Sequence, residues 1–96
     1  MMSQTADAGV PIQLGQIVAT PGALDTLSPA EITEALSRHG RADWGDVCDE
    51  DKEANDDALQ EGGRLLSAYH DMTGRKFWII TEADRSATTV LLPEEY

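Results

Sequence analysis

Two histidines and one cysteine are the side chains of this 96-residue chain best suited to nucleophilic or metal chemistry. His39 with Cys48 would make a nucleophilic pair, and His39 with His70 would make part of a metal site. A nucleophilic pair also needs an orienting group and an oxyanion site, which the spacing does not supply. We therefore expect no catalytic residue, with His39 as a favourable charge at a helix C-terminus and Cys48 as a small core residue.

A dense group of carboxylates between residues 43 and 57 is the second candidate for chemistry. Its members, set against the single base Lys52, are Asp43, Asp46, Asp49, Glu50, Asp51, Glu53, Asp56 and Asp57. A calcium loop needs oxygen ligands at alternate positions, then a glycine and a final bidentate glutamate. The run from Asp46 to Asp51 lacks that order, so we expect no dedicated metal site and no cofactor.

The same eight acidic residues form the predicted partner-binding set. Carboxylates at helix positions i, i+3 and i+4 lie roughly 5–6 Å apart on one face. A row of that kind, with Glu94 and Glu95 added, would imitate a stretch of phosphates and occupy a basic groove built for nucleic acid. The competing interpretation is a solvated face, which is the more common outcome for charge runs.

The composition of the chain restricts the partners that we expect and indicates a cellular compartment. The chain has 7 basic and 18 acidic residues, a formal net charge of −11, which argues against direct binding of nucleic acid or an anionic membrane. One cysteine permits no intramolecular disulfide, and the N-terminus has no basic start or apolar core of a signal peptide. These features predict a soluble, cytoplasmic protein.

The C-terminal third of the chain contains three predicted strands, over Leu65–His70, Lys76–Glu82 and Ala87–Leu92. Gly74 between the first two can take the positive φ of a tight hairpin, and a four-residue polar connection joins the last two. The strands would form an antiparallel meander with one face to cover, which the first sixty residues must supply.

The preceding residues predict one further strand and two helices. Val10–Thr20 alternates in polarity with a slip at Gly15, as a strand with a bulge would, and we expect it to join the meander. Ser28 and Glu31 form a capping box around Pro29, which predicts a helix over Pro29–His39 with Gly40 as its C-terminal glycine. A second helix is expected over about Asp49–Gln60, closed by two glycines.

Together these elements predict an α+β fold with an antiparallel three- to four-stranded sheet, a C-terminal β-meander and a cover of one or two helices. Residues 1–9 are expected to be a disordered tail, and residues 10–96 a single domain. Ile32 and Leu36 should pack the first helix on the sheet. Trp44 and Trp78 should fill the core between helices and sheet, although Phe77 and Trp78 have opposite strand parity.

Three blocks of sequence in this order resemble a family of small bacterial proteins. They are the segment 14–24 (LGQIVATPGAL), the segment 43–46 (DWGD), and the segment 77–86 (FWIITEADRS) continuing to PEEY at 93–96. Members of that family are often labelled plasmid-related, or by name transfer a type I restriction enzyme M subunit. The resemblance implies an association with mobile elements. The methyltransferase label does not fit, because the chain has neither a glycine-rich loop nor an Asn/Asp-Pro-Pro-aromatic motif.

Two functional hypotheses follow from these observations. The first is an acidic inhibitor of the anti-restriction or anti-CRISPR type. Its acidic residues would occupy the basic, nucleic-acid-binding surface of a defence complex. The alternative is a small structural or regulatory module without catalytic activity, a homodimer that pairs through an exposed strand edge, its acidity serving solubility. A small enzyme is the least favoured interpretation.

Overall fold

The computed structural model describes residues 12–96, and these residues form a four-stranded mixed sheet with three α-helices. Their order is β1 (Gln16–Ala19), α1 (Pro21–Thr26), α2 (Pro29–Gly40), α3 (Asp49–Glu61), β2 (Leu65–His70), β3 (Lys76–Thr81), β4 (Ala87–Leu91) and a 3₁₀ helix (Pro93–Glu95). The predicted α+β class is confirmed. The predicted tail at residues 1–9 lies outside the described residues.

The spatial order of the sheet is β1-β4-β3-β2. The meander prediction is confirmed, since β2 pairs antiparallel with β3 and β3 pairs antiparallel with β4. The prediction of a wholly antiparallel sheet is wrong at one edge, because β1 runs parallel to β4, with Gln16 opposite Ala87 and Ala19 opposite Val90. The helical segment that intervenes between β1 and the meander allows this crossover.

Local signals account for the boundaries of the elements. The capping box of α2 is formed, with Ser28 Oγ accepting from Glu31 N and Glu31 Oε1 accepting from Ser28 N. Gly74 has φ 89° in the β2–β3 hairpin, as predicted. Gly40 does not end α2 as expected: it is buried as the last helical residue, and Ala42 takes the positive φ of 64° instead.

Gly15 precedes β1 rather than forming a bulge inside it. Its φ is 64°, and a Cβ at this position would lie 2.4 Å from the carbonyl oxygen of Ser86. Only glycine permits this close approach of the chain to the β3–β4 turn. The register slip in the sequence therefore marks the entry to the strand and its contact with the turn.

The three helices cover one face of the sheet. The strand residues Tyr69, Phe77, Ile79 and Val90 form one core cluster with α1 and α2, and half-buried Ile32 and Leu36 pack against it as predicted. A second cluster on the same face joins Trp44 and Leu65 to Ala58 of α3 and to Ile12. Within residues 12–96, the opposite face of the sheet carries no α-helix.

Candidate functional site

The predicted partner-binding residues fall into two groups in the structure. Asp43 and Asp46 lie in the loop between α2 and α3, whereas six lie on α3, namely Asp49, Glu50, Asp51, Glu53, Asp56 and Asp57. All eight are exposed. The prediction that these residues bind a partner stays a prediction, but their placement separates loop carboxylates from helical ones.

The two loop carboxylates have partners within the chain. Arg38 Nε donates to Asp43 Oδ2 at 2.8 Å, and this hydrogen bond is the main reason that the pKa of the Asp43 carboxyl lies below its usual range. Asp46 Oδ2 lies 3.7 Å from His70 Nε2. Asp43 therefore holds the loop to α2, and we assign its side chain to the structure of the loop, whereas Asp46 remains exposed beside His70.

The helical carboxylates form an exposed array on α3, and one of them, Asp56, also accepts a hydrogen bond from buried Trp44. Asp49, Glu53 and Asp57 are four residues apart, so successive members advance about 6 Å along one side of the helix. Asp49, Glu50 and Asp51 stand in the first turn, where the helix dipole favours negative charge. None of the six forms an ion pair with a cation of residues 12–96.

The inward side of α3 is fixed to the sheet by hydrogen bonds. Buried Asn55 donates from Nδ2 to the carbonyl of Leu66 at 2.8 Å and accepts from the Leu66 amide at 3.0 Å. Trp44 Nε1 donates to Asp56 Oδ1 at 3.3 Å. The Asn55 side chain thereby pairs with the N–H and the carbonyl of Leu66, as the backbone of a neighbouring strand would. Rotation of α3 about its axis would break both of these hydrogen bonds.

Arg85 anchors the C-terminal end of α3 from the β3–β4 turn. Its guanidinium donates to the carbonyl of Ala58 at 3.0 Å and to the carbonyl of Gly63 at 2.6 Å. These bonds place a cation at the negative end of the helix dipole. Neither Arg85 nor Asn55 could be identified from the sequence, because their partners are 27 and 11 residues away and no local pattern marks them.

His39 is fully buried, so the expectation that it serves as a charge at the end of α2 is wrong. Its Nδ1 lies 2.6 Å from Ser67 Oγ, and its Nε2 lies 2.8 Å from Thr81 Oγ1. Thr81 in turn lies 2.8 Å from Thr88 Oγ1, which donates to the carbonyl of Leu14. Burial, aided by the positive charge of Arg85, lowers the pKa of His39 to about 4, so the ring is neutral near pH 7.

The structure does not bring the candidate chemical residues together. Cys48 is exposed at the N-cap of α3, so its predicted core position is wrong, and both ring nitrogens of His39 are occupied elsewhere. Across residues 12–96, no group of three or more His, Cys, Asp or Glu side chains has a geometry that could hold a metal ion. Neither arrangement considered for His39 is therefore formed.

The two tryptophans lie on opposite sides of the sheet. Trp44 fills the core as predicted, with 5% of its surface exposed and its ring centre 5.7 Å from that of His39 in a T-shaped contact. Trp78 does not, because it points to the face without helices, where it is half-buried. The parity argument is confirmed, since its neighbour Phe77 is the one under the helices.

A polar cleft of about 410 Å³ lies beside the loop, lined by Arg38, Asp43, Asp46, Tyr69 and His70 among others. The Arg38 guanidinium sits 4.6 Å from the centre of the Tyr69 ring, and the Tyr69 hydroxyl donates to the carbonyl of Asp43. Burial raises the pKa of Tyr69 to about 12. These contacts are made among the lining residues themselves, and they brace the loop that leads into α3.

Comparisons with known proteins add no assignment. No family model, no curated protein and no solved structure matches this chain. In residues 12–96, the longest helix has 13 residues, and no helix combines the length and apolar character needed to cross a membrane.

Proposed function

We propose that this protein is an acidic interaction protein whose helix α3 occupies a basic, nucleic-acid-binding groove of another protein. The observation that supports this most is the array on α3: carboxylates face outward without ion pairs, while the inner side is hydrogen-bonded to the sheet. A fixed array loses little conformational freedom on binding, which favours affinity.

The charge distribution fits such a groove. Helix α3 carries seven acidic residues and one lysine, a net charge of −6 in a chain of net charge −11. A groove that neutralises phosphates with Lys and Arg presents the complementary potential, and it would be drawn to this helix by the same long-range attraction. The eight acidic residues predicted from sequence reduce here to the six on α3 as principal contacts.

The partner class that we propose is a nucleic-acid-handling defence complex of the restriction or CRISPR type. Such complexes hold DNA or RNA in positively charged channels. The mobile-element association implied by the family resemblance also favours an anti-defence role. Binding of this kind needs no catalytic residue, cofactor or metal from this chain.

The test is a neutralised variant with a matched control. The triple variant D49N/E53Q/D57N removes three charges from α3, and D25N/E34Q/D84N removes three exposed charges from elsewhere on the surface. Each immobilised protein is exposed to a restriction complex, to a CRISPR effector and to host lysate, and bound proteins are eluted with duplex DNA at constant ionic strength.

We expect the wild type and the control to retain a partner that duplex DNA releases, and the α3 variant to lose at least tenfold in affinity. Most of that loss should appear in the association rate, because charges at an interface steer encounter. Equal retention by all three proteins, or simultaneous binding of DNA and this protein to the partner, would show that α3 is only a solvated face.

A second candidate function, a small structural or regulatory homodimer, is favoured by the exposure of strand β1. Ile17 and Val18 are 46% and 42% exposed at this edge of the sheet. The amide of Gln16 donates to the carbonyl of Ser86, just before β4, and the amide of Thr20 donates to Val90 of β4. The alternate amides of Ile17 and Ala19 therefore point away from β4. Ile17→Pro removes one outward donor and spares the ladder with β4, so it should abolish any dimer formed through this edge.

A further inference from the structure

The outer edge of strand β2 has backbone groups that are only partly paired. This strand ends the sheet, and its outward N–H and carbonyl groups occur at alternate residues. Those of Leu66 pair with the side chain of Asn55. Those of Ala68 pair with the loop before α3, at 3.0 and 2.7 Å. His70 comes next in this alternation, and within residues 12–96 its outward N–H and carbonyl have no hydrogen-bond partner.

A groove runs along this edge, between β2 and α2. One part is the polar cleft of about 410 Å³ beside the loop, and a second part of about 230 Å³ extends it toward the β2–β3 hairpin. Arg38, Tyr69 and His70 line both parts, so the two are continuous. We call this surface the edge groove.

The edge groove has the dimensions of a short extended peptide. Glu31 and Arg38 of α2 both line it, and seven residues of helix correspond to roughly 10 Å along the axis. An extended chain rises about 3.3 Å per residue, so the groove accepts about three residues. Its hairpin end is apolar, with buried Ala35 and Phe77 and with Met72, which is 92% exposed. A peptide in the groove would place an apolar side chain at that end.

The charge of the edge groove selects the chemistry of such a peptide. The carboxylates that line it are Glu31, Glu34, Asp43, Asp46 and Asp71. Arg38 donates two hydrogen bonds to Asp43, so its charge is already balanced. Four carboxylates remain, and Asp46 is the one beside the His70 ring, at 3.7 Å. An acidic peptide would be repelled here, whereas lysine or arginine would meet complementary charge.

We propose that the edge groove binds an extended segment of a partner protein that carries a lysine or arginine, and that this segment pairs with the backbone of His70 as an added strand. In strand addition, main-chain hydrogen bonds supply affinity and the surrounding side chains supply specificity. The chain makes the same kind of contact one step earlier, where Gly45 forms a parallel bridge with Ala68. The segment would continue this pairing beyond Asp46, the last loop residue that donates to β2.

This proposal does not depend on the function proposed for α3, because no residue of that helix lines the edge groove. The probe is an acetylated and amidated peptide of five residues in which valine and arginine alternate. Its binding to ¹⁵N-labelled protein is followed by NMR up to about 2 mM peptide, since a contact of a few residues gives weak affinity.

We expect the largest chemical-shift change at the His70 amide, together with slower hydrogen exchange of that amide at saturation. Two control peptides separate the contributions to binding. One has glutamate in place of arginine, and the other has an N-methylated backbone that cannot approach a strand edge. Each should bind about tenfold more weakly than the probe.

Two pairs of variants test the same contacts from the side of the protein. His70→Pro removes the outward N–H and leaves the ladder with β3 intact, whereas His70→Ala keeps this N–H and is the control. We expect about a tenfold loss of affinity in His70→Pro and less than about a threefold loss in His70→Ala. Asp46→Asn should weaken binding by about threefold, and Asp49→Asn on α3 should have a smaller effect. Circular dichroism reports whether each variant keeps the fold.

Three results with the wild type would overturn the proposal. They are no binding up to about 2 mM peptide, equal affinity for the N-methylated and unmodified peptides, or shifts centred on α3 instead of His70. Equal losses in folded His70→Pro and His70→Ala would also exclude strand addition. The triple variant D49N/E53Q/D57N should bind the peptide as the wild type does. A failure of this proposal and a failure of the function proposed for α3 therefore give different results.

Discussion

At the scale of single residues, the chain of buried polar groups around His39 is the most constrained feature of the molecule. Its members are His39, Ser67, Thr81 and Thr88, all 0% exposed. A buried polar group is costly unless it is hydrogen-bonded, and each of these has a partner within 2.8 Å. These hydrogen bonds connect α2 to three strands and to the carbonyl of Leu14, so they specify how these elements pack together.

Protonation of His39 should destabilise the fold in acid. Its pKa is about 4 in the folded protein against an ordinary value of 6.5, so the unfolded chain takes up a proton more readily. The free energy of unfolding should therefore fall as pH drops from about 6.5 to 4, by roughly 3 kcal/mol, and His39 should contribute no further change below that. Denaturant unfolding curves at pH 7, 5.5 and 4.5 measure the loss.

His39→Gln serves as the control for this pH dependence. It should lower stability at pH 7, because one or both hydrogen bonds are lost, but its stability should vary less between pH 6.5 and 4.5. Carboxyls with lowered pKa values, such as Asp43 and Glu95, lose their contribution below about 4.5, at the lower edge of this window. If the free energy of unfolding falls by the same amount between pH 6.5 and 4.5 in the variant and in the wild type, then a neutral, buried His39 is not the cause of the pH dependence.

At the scale of elements, the position of α3 depends on a few long-range contacts more than on its own apolar face. Its buried residues are Asn55 and Ala58, and Leu59 is half-buried, so little apolar area holds it to the sheet. The hydrogen bonds from Arg85 and Asn55 compensate for this thin stripe. An acidic helix of this composition needs such anchors to stay in one orientation.

Removal of the Arg85 anchor should loosen α3. Arg85→Met keeps the apolar stem but deletes the hydrogen bonds to Ala58 and Gly63, at a cost of about 2–3 kcal/mol in the free energy of unfolding. Residue 85 has a positive φ of 62° in the wild type, and the variant has the same backbone, so the strain cancels when the two stabilities are compared. In Arg85→Met, hydrogen exchange should be accelerated relative to the wild type, and the acceleration should be greater for the amides of α3 than for those of β3.

Arg75→Met is the matched control for the Arg85 anchor. Arg75 is exposed in the β2–β3 turn, and its replacement should change stability by less than about 0.5 kcal/mol. If both variants lose the same stability, or if exchange in α3 is unchanged by Arg85→Met, then Arg85 is not the anchor of the helix.

At the scale of the whole molecule, the dominant feature is the concentration of negative charge on one helix. A net charge of −11 on 96 residues opposes compaction through self-repulsion, and more than half of that charge is on α3.

Salt should stabilise the folded protein. Raising ionic strength from 0.01 to 0.2 M shortens the screening length from about 30 Å to less than 10 Å, so repulsion among the carboxylates weakens. We expect the free energy of unfolding to rise by about 1 kcal/mol, which corresponds to roughly 4–8 °C in Tm. Thermal unfolding at a series of sodium chloride concentrations measures this increase in Tm.

The triple variant D49N/E53Q/D57N provides the comparison for this salt effect. With three fewer charges on one helix, its Tm should depend less on sodium chloride than that of the wild type. An identical dependence in both proteins would mean that repulsion on α3 does not limit stability, and that the salt acts elsewhere.

The sequence alone determined the features that depend on neighbours close along the chain. The Ser28–Glu31 capping box, the positive φ of Gly74 and the acidic run of α3 could be predicted because the groups involved are at most a few residues apart. The α+β class and the meander followed from the same local patterns. The acidic candidate site could also be located from sequence, because charge density needs no tertiary information.

Only the tertiary structure decided the features that depend on distant partners. The parallel direction of β1, the burial of His39, the exposure of Cys48 and the separation of Trp44 from Trp78 all depend on which surfaces meet. His39 finds its partners 28 and 42 residues away, and Arg85 reaches α3 from 27 residues away. A local pattern cannot specify such contacts, because each depends on the free energy of packing the whole sheet against its helices.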